Sequence, residues 1–342
     1  DPPEPLPPRA VERALTEAWG VKPAEELDEL DLEEPVAVTP TSQVHRAVLA
    51  GEPTPVAVKL LRPALAATVR QDLVLLDGLL APLHAAFPAL DPGALIREVR
   101  ERVQDELDLE HEAHSLRRFH RALRSHPFLT VPAPVTRLTH ESVLVSEWVE
   151  GVPLAALPDP DAADAAAARL VIFVIGAARF GVMHADPDPD DVLVLPDGRL
   201  AILDFGATRA VVPERVAAAR DALEAFAAED PPELGRALEE LGALPAGEGA
   251  TALVLARHAL GALAQPDPAL LDTDAVLTAK ERLRERPREL ERLILAGSLA
   301  PEDLWPARAI AQLFAAIARV GARGDWLGLA RAAMREGWDA PA

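Results

Sequence analysis

The sequence predicts an α+β protein of two lobes: a small N-terminal lobe containing β-strands and a mostly helical C-terminal lobe that ends in a helical extension. Three observations carry this reading. Short apolar runs separated by turn residues crowd into residues 35–61 and recur at 142–148. Long tracts of Ala, Leu, Arg and Glu, all strong helix formers, dominate the rest. Between them lie two carboxylate-bearing segments, His184-Ala185-Asp186-Pro187-Asp188-Pro189-Asp190-Asp191 and Asp204-Phe205-Gly206, joined by a predicted hairpin. The expected organisation is a helical and acidic lead segment over 1–34, the β-containing lobe with inserted helices over 35–147, and the helical lobe over 148–342.

In chain order, residues 11–19 fit a short amphipathic helix, and 25–34 carry seven carboxylates that read as a solvated helix face rather than a metal site. Residues 36–38, 44–49 and 55–61 read as strands, with Gly51-Glu52-Pro53-Thr54 as a turn. From 64 to 124 the spacing becomes helical, as at Leu95, Val99, Val103 and Leu107, until Pro132 and Pro134. Residues 142–148 form another strand. An apolar helix over 161–183 leads into the His184 segment. Residues 192–195 and 200–203 are strands around the turn Pro196-Asp197-Gly198-Arg199, and everything from 213 onward reads as helices broken by Pro and Gly. The Arg/Glu-rich stretch 280–292 is expected to be one exposed, salt-bridged helix.

Composition narrows the function. A net charge of -21 argues against general nucleic-acid binding, which needs a basic face. Without cysteine, disulfides, thiol catalysis and Cys-ligated zinc are excluded; this fits a cytoplasmic setting. No window of 18 uninterrupted apolar residues exists, so no transmembrane segment is expected. The chain opens on Asp1-Pro2-Pro3-Glu4 with neither Met nor a leader pattern, which reads as a trimmed or partial chain. Asn and Tyr are absent, and Lys occurs only at 22, 59 and 280 against 31 Arg, a bias that a GC-rich coding sequence would produce.

The acidic segments read as a kinase catalytic loop followed by a metal-binding Asp-Phe-Gly. Phosphoryl transfer needs a cation on the phosphates, a helix carboxylate to hold that cation, oxygen ligands for Mg²⁺ and a carboxylate to orient or deprotonate the acceptor. Lys59 closes the apolar strand Val56-Ala57-Val58-Lys59; alone it is equally a strand-edge surface lysine, yet in a chain that otherwise uses Arg it suggests a site needing a compact charge. Glu112 is the expected helix partner, sharing a helical face with Asp108, against the alternative of a merely acidic exposed helix. Asp186 is the candidate base, and His184 the brace of its loop. Asp191, five residues on, and Asp204 are the candidate Mg²⁺ ligands, because hard cations take carboxylate oxygens. In a chain without Asn, an Asp at 191 still offers a metal oxygen. The alternative for 186–191 is an acidic turn. No Gly-rich phosphate loop is present; residues 37–44 read Ala-Val-Thr-Pro-Thr-Ser-Gln-Val.

Together these motifs resemble the UbiB/AarF-like atypical kinase family, which is linked to ubiquinone biosynthesis and lipid homeostasis. The resemblance rests on Thr41-Ser42-Gln43-Val44-His45-Arg46-Ala47, Val56-Ala57-Val58-Lys59 with Arg62-Pro63, Glu106-Leu107-Asp108 with Glu112-Ala113, His184-Ala185-Asp186-Pro187 and Asp204-Phe205-Gly206. It covers about half the chain, from Val36 to Ala207. The family's Lys-x-Gly-Gln signature has no counterpart, and its loop His-Ala-Asp-Pro-His-Pro-Gly-Asn is altered here. The resemblance implies a protein-kinase-like fold that uses ATP and Mg²⁺. It further implies nucleotide contacts from Lys59, Ser42, Gln43 and Glu147, family-signature roles for Glu106 and Asp108, a small-molecule or lipid substrate, and peripheral membrane contact. The alternatives are a catalytically impaired pseudokinase scaffold and an aminoglycoside- or choline-kinase-like phosphotransferase.

Overall fold

The structure, a computed structural model, describes residues 3–62, 107–298 and 300–341. It divides into two compact units, Asp1–Ser125 with Thr130–Glu150 and Leu203–Ala207, and His126–Leu129 with Gly151–Ile202 and Thr208–Ala342.

The first unit is organised by the two-residue period of its strands. Helices α1 (Pro8–Trp19) and α2 (Pro23–Glu26) lead into β1 (Leu27–Asp28), β2 (Ala37–Val38), β3 (Ser42–Leu49) and β4 (Pro55–Leu61); after helix α3 (Leu109–Ala122) comes the two-residue β5 (Leu129–Thr130), at the chain boundary between the units, and then β6 (Val143–Glu147). The antiparallel sheet runs β1-β3-β4-β6, with β2 on the same edge of β3 as β1. On β4, Val56, Val58 and Leu60 are fully buried and pack with Val11 and Leu15 of α1, Ala47 and Leu49 of β3, and Val143 and Val145 of β6. Lys59, one residue out of step, is turned to the opposite face. The Trp19 indole fastens α1 by donating to the Leu138 carbonyl at 2.9 Å.

The acidic run 25–34 is not a helix. Helix ends at Glu26, β1 pairs Leu27 with Leu49, and Glu29 takes a positive φ of 49°. The physical reason is that Leu27 is buried where it pairs in the sheet while Asp28 and Glu29 beyond it are exposed, which serves a sheet edge better than a helix face. The helical reading of 64–106, with Leu95, Val99, Val103 and Glu106, lies outside the described residues.

The second unit is built around α4 (Pro160–Gly176). Its last seven residues are all buried, so the segment is apolar on every side and forms a central helix. The expected helix over 161–183 is shorter than predicted: a 3₁₀ turn, Ala177–Phe180, ends at Gly181 with φ 73°, and β8 (Val182–His184) begins. Beyond β7 (Val152–Pro153), a hairpin of β9 (Val192–Val194) and β10 (Leu200–Ile202) turns at Gly198, where φ is 83°. β11 (Thr208–Ala210) pairs with β8, placing Thr208 opposite His184.

The remainder is helical: α5 (Pro213–Ala227), α6 (Pro231–Glu240), α7 (Gly249–Leu260), α8 (Thr273–Arg284), α9 (Pro287–Ala296), α10 (Leu304–Val320) and α11 (Trp326–Glu336). Two departures from expectation appear. The stretch 280–292 is two helices, because Pro287 opens a new one. A short ladder of β12 (Ala269–Leu271) and β13 (Ala322–Gly324) interrupts the helices. Trp338 closes the unit: its indole donates to the Phe173 carbonyl at 2.9 Å and stacks on Phe180 with ring centroids 4.1 Å apart.

Candidate functional site

In the first unit three residues meet that the sequence had named separately. Helix α3 buries Leu109, Glu112, Ala113, Leu116 and Phe119 along one stripe. Glu112 is thus a carboxylate at a core position, where an isolated charge would be prohibitively costly. Lys59, projecting from the other face of β4, meets it: Nζ donates to both Glu112 oxygens at 2.9 Å and to Asp204 Oδ2 at 2.9 Å. Asp204 Oδ1 accepts the Gly206 amide at 2.9 Å, and Phe205 packs on Phe119 with centroids 4.8 Å apart. The Asp-Phe-Gly segment is therefore seated on α3 by an aromatic pair, and its carboxylate is aimed at Lys59 by its own backbone.

The electrostatics follow from burial. The Glu112 side chain is 4% exposed, Lys59 21% and Asp204 37%. Burial, then the nearby Asp204 charge, push the Glu112 carboxyl up to about 7, against the pull of Lys59 and the Phe205 amide. Burial alone would lower Lys59; the charges of Asp204 and Glu112 outweigh it and hold the ammonium above its ordinary value. Lys59 is therefore a permanently charged cation, and the Asp204 carboxylate beside it remains partly open to solvent.

Asp108 does not sit on a helical face with Glu112. It is the N-cap of α3 and accepts the Glu110 and His111 amides at 3.0 Å each. Ser42 and Gln43 are both buried, on opposite faces of β3. Ser42 shares the face of Lys59, since Val44 is opposite Lys59 in the register, and its hydroxyl contacts that of Thr39 at 3.0 Å. Gln43 is on the α1 side, where its carbonyl accepts the Leu6 amide at 2.7 Å and its amide nitrogen meets His45 Nε2 at 2.7 Å. Those contacts commit the Gln43 side chain internally. Glu147, at the end of β6, accepts the Ala133 amide at 3.3 Å.

The second unit holds the acidic loop. His184 is buried at the end of β8, its ring edge-on to Phe173 at 5.7 Å, and its Nδ1 lies 3.4 Å from the Asp186 amide. Asp188 donates its amide to the Asp186 carbonyl at 2.9 Å, and Asp191 donates to Asp188 at 3.0 Å, coiling the run into consecutive turns that expose Asp188, Asp190 and Asp191. Two arginines of α10 were not anticipated. Arg308 lies 2.9 Å from Asp186 Oδ2, and Arg319 pairs with Asp188 at 3.2 Å and with Asp190. They are eleven residues apart, three helical turns, so one stripe of α10 carries both. That spacing was visible in the sequence; the loop it serves was not. Among the described residues no three His, Asp or Glu side chains converge in a metal-binding group.

A strand lysine held by a helix carboxylate and by the aspartate of an Asp-Phe-Gly segment is the arrangement of a kinase-like protein. The family model for the ABC1 atypical kinase-like domain matches residues 1–237, and the chain belongs to that family. Similar proteins include ACTIVITY OF BC1 COMPLEX KINASE 3, chloroplastic, of Arabidopsis thaliana, 34% identical over 180 residues that cover 51% of this chain and 25% of that protein. The probable protein kinase UbiB of Marinobacter nauticus is 30% identical over 193 residues, covering 53% and 35%. The chain thus spans between a quarter and about half the length of the curated relatives it matches. Among solved structures, the complex of Rv3197 with erythromycin from Mycobacterium tuberculosis aligns with a TM-score of 0.75 and 25% identity, covering 95% of this chain and 82% of that one. The α+β kinase-like class expected from the sequence is the class these comparisons show.

Proposed function

We propose that the chain binds ATP with Mg²⁺ and transfers or hydrolyses its terminal phosphoryl group, acting on a small molecule or lipid in isoprenoid-quinone or lipid metabolism. The observation that carries this is the Lys59–Glu112–Asp204 cluster. Glu112 holds the Lys59 ammonium by both oxygens, which leaves a fixed cation to engage phosphate oxygens. The donor set fits a Mg²⁺ ion, which is bound through one or two carboxylates with phosphates and water rather than by an all-protein cage. Asp204, whose side chain is 37% exposed, is the carboxylate of this cluster assigned to it, and Asp191 is assigned as a ligand by its place in the sequence, five residues after Asp186. When bound, the ion supplies charge neutralisation to the phosphates.

Asp186 is assigned to orient the acceptor hydroxyl or water and take its proton. His184 keeps the backbone of that loop in place. The buried Gln43 is left out of the nucleotide set. We place the chain in the cytoplasm with peripheral membrane contact, which vesicle flotation checks. Phosphate release from Mg·ATP by the intact chain, abolished by Asp204→Ala, is the result expected; no release above that variant would refute turnover.

A second reading is a nucleotide-binding module without turnover. It is favoured by one contact, the Arg308 guanidinium on the Asp186 carboxylate. Its expected result is ATP binding with phosphate release no faster than that of Lys59→Ala.

A further inference from the structure

The second unit contains an apolar cavity of about 500 Å³, within the range of pockets that enclose a drug-sized ligand. Ile175 of α4, Met183 of β8, Val216 of α5, Ile310 of α10 and Met334 of α11 line it. The chain has two methionines in 342 residues, and both are in this wall. Methionine is unbranched and polarizable, and it is favoured where a surface must adapt to variable apolar partners. An apolar pocket of this size, with the chain's two methionines brought to it from distant segments, has the shape and lining that suit an apolar ligand.

The rim defines the ligand's charge. Arg215 is the cation there, and it is already paired with Asp303, with Glu302 4.0 Å away and the Leu241 carbonyl accepting at 2.5 Å. Among the described residues that line it, no unmatched cation is available for an anionic ligand, and an apolar wall disfavours an ionic one. We propose that the cavity binds a compact, uncharged, mostly apolar small molecule. Its location connects it to the acidic loop. Met183 directly precedes His184 in β8, and Pro306, Ala307 and Ile310 flank Arg308, the residue that pairs with Asp186. An occupant therefore touches both elements that fix the Asp186 carboxylate.

The two methionines provide a built-in reporter. With ¹³C-methyl methionine, the intact chain should give two methyl signals, assigned with Met183→Leu. Titration with the neutral fluorophore N-phenyl-1-naphthylamine should move both signals and raise dye emission saturably, with one site per chain. Ala219→Phe and Ile310→Trp, which fill the cavity from α5 and α10, should each weaken dye binding at least tenfold. Either folded variant suffices for the comparison. Two methyl signals that stay in place at saturating dye, emission that never saturates, or wild-type affinity in a folded filling variant would overturn the proposal.

Discussion

The Lys59 ammonium lies 2.9 Å from each oxygen of the Glu112 carboxylate, and Glu112 occupies a core position of α3. Removing the cation leaves a buried charge without its principal partner, a change that typically costs about 3–5 kcal/mol. Lys59→Ala should therefore lower unfolding free energy by an amount at or somewhat below that range, since Lys59 is partly exposed. Replacing both partners, as in Lys59→Met with Glu112→Leu, should restore most of the loss, because neither buried charge remains. Urea denaturation of the three proteins checks this.

The same carboxyl sets a pH dependence. Its folded value of about 7 lies above its ordinary value of 4.5. A raised folded value means that the native state holds the proton more tightly, so this group's contribution is complete below pH 4.5 and is lost as pH rises toward 7. The advantage of wild type over Glu112→Gln in melting temperature should fall across that window and flatten above pH 8. A difference independent of pH would mean that Glu112 titrates normally.

Asp108 caps α3 through two amides. Asp108→Ala should destabilise the protein by about 1 kcal/mol, and Asp108→Asn, itself a good cap, by far less. Equilibrium denaturation separates the two, and equal losses would indicate another role for the carboxylate.

The two arginines of α10 should differ. Arg319 and its partners Asp188 and Asp190 are all about half exposed or more, so Arg319→Ala should cost at most about 1 kcal/mol, with the loss shrinking in high salt. Arg308 is 14% exposed, and its removal should cost more and resist screening. Denaturation at low and high salt checks both.

The sequence made the strands of the first unit readable because apolar alternation around Val56, Val58 and Leu60 is a local property. The cluster was readable in part. Lys59 stood out by its rarity, Asp204 by the Asp-Phe-Gly motif, and Glu112 by its place in an acidic helical stretch, although the face it was expected to share with Asp108 is not formed. What was not readable depends on distant pairing. Asp108 has the same residue type whether it faces a partner or caps a helix, and only the helix start at Leu109 decides. Gln43 lies in a matching motif, yet strand parity sends it to the α1 side. Arg308 and Arg319 declare a common helix face but not which loop it covers. The break at Pro287 was written in the sequence and was outweighed by the charge pattern around it.

Calorimetric titration of the intact chain with ATP, in the presence and absence of Mg²⁺, tests the central claim most directly. One Mg²⁺-dependent site per chain is predicted, weakened at least tenfold, about 1.4 kcal/mol, by Asp204→Asn. A folded wild-type chain that gives no binding heat with Mg·ATP at any temperature tried, or that binds equally well after Asp204→Asn, would contradict it.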